Sequence, residues 1–186
     1  MNKYFLFKSE QPIPSQSFKE LIGATYPERW SLVFLDRHRG YILSDGAFYD
    51  ALAVLLPLFN SDLGLSITMV VAHVNDELSQ KALEAAHRYY RQSCRHLGEV
   101  VLDRLASGDR EMLLGAHRQF MAVPRELLLT ATAFVESGLN ATRAAKKLYV
   151  HRNTFNYRLQ KFIEWTNLDI RDYHHAFYFR LSQINL

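Results

Sequence analysis

Cysteine is almost missing from this 186-residue chain: Cys94 is the only one, which excludes an intrachain disulfide and fits a reducing compartment. Long apolar runs are missing too. The most apolar segment, Ala47 to Phe59, carries Asp50 and Pro57 and falls short of the roughly 20 residues needed to cross a bilayer, so it predicts a buried helix and no membrane partner. The opening stretch MNKYFLFKSEQPIP lacks the longer apolar core and small-residue cleavage site of a secretory signal, so a cytoplasmic location is expected. No Gly-x-Ser-x-Gly, phosphate-binding loop, Gly-x-Gly-x-x-Gly, Cys-x-x-Cys or His-Glu-x-x-His spacing occurs. The chain therefore offers no recognisable catalytic or metal site, and no cofactor is expected. The adjacent His174 and His175 do not alter this, because neighbours on a helix point about 100° apart.

The most informative absence is local. Between Glu136 and Glu164 there is no acidic residue, yet Arg143, Lys146, Lys147, Arg152, Arg158 and Lys161 all fall there. Residues 1–124 hold 13 Lys and Arg against 14 Asp and Glu, whereas residues 125–186 hold 9 against 5. A basic excess confined to one end points to a polyanionic partner.

The pattern up to about Pro27 predicts little beyond a short helix around Phe18 to Ile22. WSLVFLD and YILSD, joined by RHRG, predict a β-hairpin, with Gly40 supplying a positive φ at the turn. Phe48, Leu52, Leu55, Leu56 and Phe59 recur at helical spacing, with Pro57 near the helix end and turn residues from Asn60 to Gly64. LGLSITMVVAHV then turns continuously apolar, as a central strand does. Asp76 and Ser79 offer caps to a long helix through Ala82, Leu83, Ala86, Tyr89 and Tyr90. This order of hairpin, helix, strand and helix predicts a small α/β sensor or dimerisation module over 1–115, with helices on one face of a short sheet. Asp36 and Asp45 flank the hairpin as turn residues. Arg37, His38 and Arg39 at its tip are candidates for an anionic effector, although such a tip is usually only solvated. Helices around Val101 to Leu105 and Met112 to Phe120 follow, and the domain boundary is expected between Ser107 and Pro124.

An all-α domain is predicted over 124–186, giving an α+β chain overall. Arg125 to Ser137 reads as a helix with apolar bulk from Leu128, Leu129, Thr132, Phe134 and Val135, ended by Gly138. Asn140 caps a second helix whose inner face is Ala141, Ala144, Ala145 and Leu148. Adjacent alanines suit two helices that cross closely. Tyr149 and Val150 make the turn, and Val150 is placed to plug the small core. In the third helix, from His151 or Arg152, residues Phe155, Leu159, Phe162 and Ile163 share one side, while Asn153, Tyr157, Gln160 and Lys161 lie on the other. Asn and Gln suit adenine, and Arg and Lys suit guanine or phosphate. Tyr173, Phe177, Tyr178 and Leu181 predict one packed face on the last helix, with the paired histidines at the surface or in an interface.

Ala144-Ala145, Leu148-Tyr149-Val150, His151-Arg152-Asn153-Thr154, Tyr157-Arg158-Leu159 and Leu168-Asp169 occur in that order. This succession resembles the C-terminal helix-turn-helix of PucR/CdaR-type transcription regulators, a relative of the Fis-type fold. The resemblance covers about the last third of the chain. It implies sequence-specific binding of duplex DNA, usually as a dimer, with Arg152, Asn153, Thr154, Tyr157 and Arg158 on the helix that enters the major groove. Arg158 falls beside the core edge of the helical wheel, which leaves a phosphate or intradomain role as open as base contact. The full expected DNA-binding set is Thr142, Arg143, Lys146, Lys147, His151, Arg152, Asn153, Thr154, Asn156, Tyr157, Arg158, Gln160 and Lys161. The N-terminal order is also similar to a truncated, degenerate GGDEF-like module, but without the Gly-Gly-Asp-Glu-Phe run no cyclic-dinucleotide synthesis is expected. The competing reading is a protein-interaction module with a helix-turn-helix fold that does not bind DNA.

Overall fold

The computed structural model describes residues 3–184. The chain divides into two compact units, residues 1–100 and 101–186, and its class is α+β.

The first unit is a five-stranded sheet in the order β2-β3-β1-β4-β5. Its elements are β1 (Lys3–Ser9), α1 (Ser15–Thr25), β2 (Trp30–Phe34), β3 (Arg39–Ser44), α2 (Phe48–Leu63), β4 (Ile67–Ala72), α3 (Glu77–Tyr89) and β5 (Cys94–His96). Among the described residues only the β4–β5 pair is parallel.

The strand in the middle is β1, in the stretch where the sequence pattern predicted little beyond a short helix. Phe5, Leu6 and Phe7 are all fully buried, because β1 is flanked by strands on both edges and covered on both faces. Such a strand shows no apolar–polar alternation, so its four apolar residues resemble any short hydrophobic patch. The helices also cover both faces rather than one. Phe5, Phe7, Ile42, Ile67, Met69 and Val71 pack with Phe18 and Ile22 of α1 and with Phe48, Leu52, Leu55 and Phe59 of α2. On the opposite face α3 lies over β1 and β4, with His87 Nδ1 3.2 Å from Thr68 Oγ1 and Lys8 paired with Glu84. This double cover explains why every residue of β4 is buried.

Gly40 serves a different purpose from the expected turn. It lies in β3 without a positive φ, and a Cβ there would sit 2.2 Å from the Val33 carbonyl oxygen and 2.7 Å from the Phe7 ring. Close approach, not left-handed backbone, requires glycine. The turn is instead organised by Asp36, whose carboxylate accepts from the backbone N–H groups of His38 and Arg39 at 2.8 and 3.1 Å. Asp45 has a comparable role, accepting from the Tyr26 hydroxyl and the Ala47 N–H. Helix α2 runs through Pro57 and the expected turn residues, ending at Gly64 with φ 65°. Asp76 caps α3 by accepting from the Ser79 N–H.

Burial against the sheet, reinforced by the nearby Lys8 charge, holds the His87 imidazole below its ordinary pKa. Well above pH 6.5, the ordinary pKa, the ring is neutral in both folded and unfolded chains. As pH falls below that value the unfolded chain takes up the proton first. Stability of the sheet unit should therefore decline on acidification from pH 7 through 6.5, down to the lowered folded pKa. Denaturant titrations across that range should show a shallower slope for His87→Gln.

The second unit is helical. Helix α4 (Leu97–Ala106) enters it, followed by α5 (Glu111–Phe120), α6 (Arg125–Glu136), α7 (Ala141–Lys147), α8 (Arg152–Thr166) and α9 (Tyr173–Ser182). Phe120, Phe162 and Phe179 meet at ring-centroid separations of 5.2 to 6.3 Å and form its centre. On α6 the inner face is Leu127, Thr130, Ala131, Ala133 and Phe134. Leu129, expected to add apolar bulk, is 51% exposed, because the face turns by one position relative to that reading. On α9 the buried set is His175, Ala176, Tyr178, Phe179, Leu181 and Ser182, while Tyr173 is exposed. His175 is thus inside rather than at the surface, its Nδ1 3.2 Å from the Asp169 carbonyl oxygen, which accepts from it. Among the described residues no helix is long and apolar enough to cross a membrane.

Candidate nucleic-acid interface

Three helices build the site. Helix α6 ends in a left-handed residue, Gly138, with φ 68°. Asn140 then starts α7, its side chain accepting from the Arg143 N–H at 3.0 Å. Ala144 and Ala145 are buried at the crossing, where small side chains let α7 approach α6 and α8. Thr142, Arg143, Lys146 and Lys147 face solvent. Val150, expected to plug the core, is half-buried.

His151 stands at the N-cap of α8, and its Nδ1 accepts from the Asn153 N–H at 3.2 Å. The residue thereby has a role inside the fold whatever it does outside. Phe155, Leu159, Phe162 and Ile163 are buried as a stripe, with Phe155 against Phe134 of α6. The opposite side exposes Asn153, Thr154, Tyr157 and Lys161, and Arg152 is exposed at the first position of the helix.

Ionic neighbours divide the cations into two groups. Arg158 is half-buried and reaches Glu126 of α6 at 3.2 Å; Lys147 pairs with Glu136, and Lys161 with Glu164 at 2.8 Å. The Lys147 ammonium holds the Glu136 carboxyl below its ordinary pKa by hydrogen bond and charge. Arg143, Lys146 and Arg152 have no ion-pair partner among the described residues. Their charge is the least compensated in the segment.

Asn156 and Gln160 turn to one flank of α8. There they line a groove of about 560 Å³ with Phe134, Leu139, Ala141 and Ile163. The structure thus gathers Asn153, Thr154, Tyr157 and Lys161 on the outermost face, leaves Arg152 exposed at the N-terminal end of α8, puts Thr142, Arg143, Lys146 and Lys147 on the neighbouring helix, and sets Asn156, Gln160 and Arg158 to the sides. Beyond α8, Asp169 receives two side-chain hydrogen bonds from Arg171, at 2.7 and 2.6 Å, which lower its pKa. Leu168 beside it is fully buried.

Residues 127–183 match the PucR C-terminal helix-turn-helix domain. That span begins within α6 and ends just after α9, so the match takes in the whole helical site. Over a longer stretch the chain is 28% identical to YxkF of Bacillus subtilis (strain 168), covering 87% of this chain and 60% of that protein. The chain therefore spans about three-fifths of that relative's length. Among solved structures it is similar to a regulator of polyketide synthase expression from Bifidobacterium adolescentis, at 20% identity with a TM-score of 0.46, covering 97% of this chain and 78% of the other.

Elsewhere, the Cys94 thiol is pushed far above its ordinary pKa by burial, which leaves it a poor nucleophile at neutral pH. No group of three His, Cys, Asp or Glu among the described residues is arranged to hold a metal. Lys8, Ser9, Glu10, Asp36, His38, Arg39 and His87 line a polar cleft at one end of β1. Its cations have carboxylate company: Arg39 meets Asp36 at 2.7 Å and Glu84 at 3.7 Å, and Lys8 meets Glu84.

Proposed function

We propose that this protein is a cytoplasmic transcription regulator that binds duplex DNA sequence-specifically through residues 124–186, as a homodimer. The observation that carries the reading is the exposed surface of α7 and α8. It places three uncompensated cations beside a row of side chains able to read base edges, on a three-helix frame that matches a regulator's helix-turn-helix domain. In such a unit α8 enters the major groove. Asn153 and Tyr157 then meet base edges, while Arg143 and Lys146 meet phosphates. Two copies read half-sites about one helical turn apart. The sheet unit senses a signal, such as a small-molecule effector, or dimerises.

Two substitutions separate base reading from charge. Asn153→Ala is expected to weaken binding to the preferred site by about 1–3 kcal/mol and to relax preference at one base pair. Lys146→Ala should weaken all duplexes alike and flatten the dependence of affinity on salt. Lys147→Ala should do less, since Glu136 already neutralises that ammonium. Fluorescence-anisotropy titrations against preferred and scrambled duplexes read all three. If Asn153→Ala and Lys146→Ala both leave binding untouched, α8 is not the reading helix and a protein-interaction role gains ground.

A further inference from the structure

We infer that Tyr149, in the turn between α7 and α8, binds a DNA backbone phosphate through its hydroxyl; this rests on the DNA-binding reading above and extends it. The first observation is conformational. Helix α7 ends in a Schellman arrangement: the Val150 N–H donates to the Ala145 carbonyl at 3.1 Å and the Tyr149 N–H to the Lys146 carbonyl at 3.1 Å. That motif places its next residue in the left-handed region, where glycine is the usual occupant because a Cβ is disfavoured. This chain follows the rule at other helix ends, with Gly64 at φ 65°, Gly108 at φ 86°, Gly138 at φ 68° and Asn167 at φ 54°. At α7 it has instead a bulky tyrosine, with φ 55°.

The second observation is that the fold gains nothing visible from the ring. Tyr149 is 97% exposed. Leu139, another left-handed residue, is half-buried and lines the groove beside Phe134; Gln92, with φ 52°, is polar and suits an exposed turn. Tyr149 is bulky, aromatic, strained and almost wholly in solvent. A side chain costly in backbone conformation and unrewarded inside the molecule has its use outside it.

Its surroundings name the partner. Lys146 and Lys147 precede it on the last turn of α7, Arg152 follows at the first turn of α8, and all three are exposed. Tyr149 lies in the connection, not on the face of α8 that carries Asn153 and Tyr157. A base edge is thus the wrong target and the flanking sugar-phosphate backbone the right one. A phenol O–H donates to a phosphate oxygen, one of the positioning contacts that fix a reading helix on its duplex.

The test uses the full chain, the wild-type preferred duplex and a scrambled duplex. Tyr149→Gly relieves the backbone, so its melting temperature should equal or exceed that of the wild type, while its affinity falls about tenfold on both duplexes. Tyr149→Phe keeps the ring and loses the hydroxyl, and should fall as far. Unchanged affinity in Tyr149→Gly, wild-type affinity in Tyr149→Phe, or a loss confined to the preferred duplex would each overturn the phosphate contact while leaving the DNA-binding reading intact. Absence of binding by the wild-type protein would overturn that reading and this contact with it.

Discussion

Replacing Phe162 by alanine is expected to destabilise the helical unit by about 3–5 kcal/mol, enough to unfold a marginal domain. The ring is fully buried and stands between Phe120 and Phe179, at 6.3 and 5.3 Å between centroids. Its removal strips apolar contact from α5, α8 and α9 together and leaves a cavity that three helices cannot close at once. Because Phe162 is on the same helix as Asn153, loosening its seat also loosens the reading face. DNA binding should therefore fall by more than the folded fraction does, because the residual folded molecules also bind less well. Urea titration followed by far-ultraviolet circular dichroism checks the stability. A loss under about 1 kcal/mol would mean that the aromatic cluster is not the centre of this unit.

Raising salt from 50 to 200 mM is expected to lower DNA affinity about a thousandfold. Arg143, Lys146 and Arg152 lack internal ion-pair partners among the described residues, so in a dimer six such charges face the duplex. Each phosphate neutralised releases condensed counterions. With roughly six contacts the slope of log affinity against log salt is about −5. The paired cations add little: Lys147 and Lys161 must exchange Glu136 and Glu164 for phosphate, and Arg158 must leave Glu126. Titrations at four or five salt concentrations read the slope directly. A value near −1 would mean that few of these charges meet phosphate.

How much of this was legible in the sequence follows from the range of the interactions involved. The buried stripe of α8, the alanine crossing of α7 and the Asn140 cap depend on residues three or four apart, and a helical wheel exposes them. The cap at Asp76 is legible for the same reason, and the hairpin from two apolar runs separated by a short polar link. The middle strand was not, because burial on both faces removes the alternation that identifies a strand, and β5 is only three residues long. The close approach that requires glycine at position 40 is not legible locally, since Phe7, whose ring a Cβ there would meet, lies on a strand 33 positions earlier. Likewise His175 is buried by helix packing that no local pattern encodes. In the candidate site, the exposed row on α8 was legible. The division of its cations into paired and uncompensated ones was not, since Glu126 and Glu136 lie on another helix.

The most direct test of the central claim is selection of binding sites from random duplex DNA by the purified full-length protein. The account predicts an enriched, roughly two-fold symmetric sequence with half-sites about one helical turn apart, its enrichment lost in Asn153→Ala. No enrichment over input, together with no salt-dependent binding to any duplex, would contradict a DNA-reading role for α8.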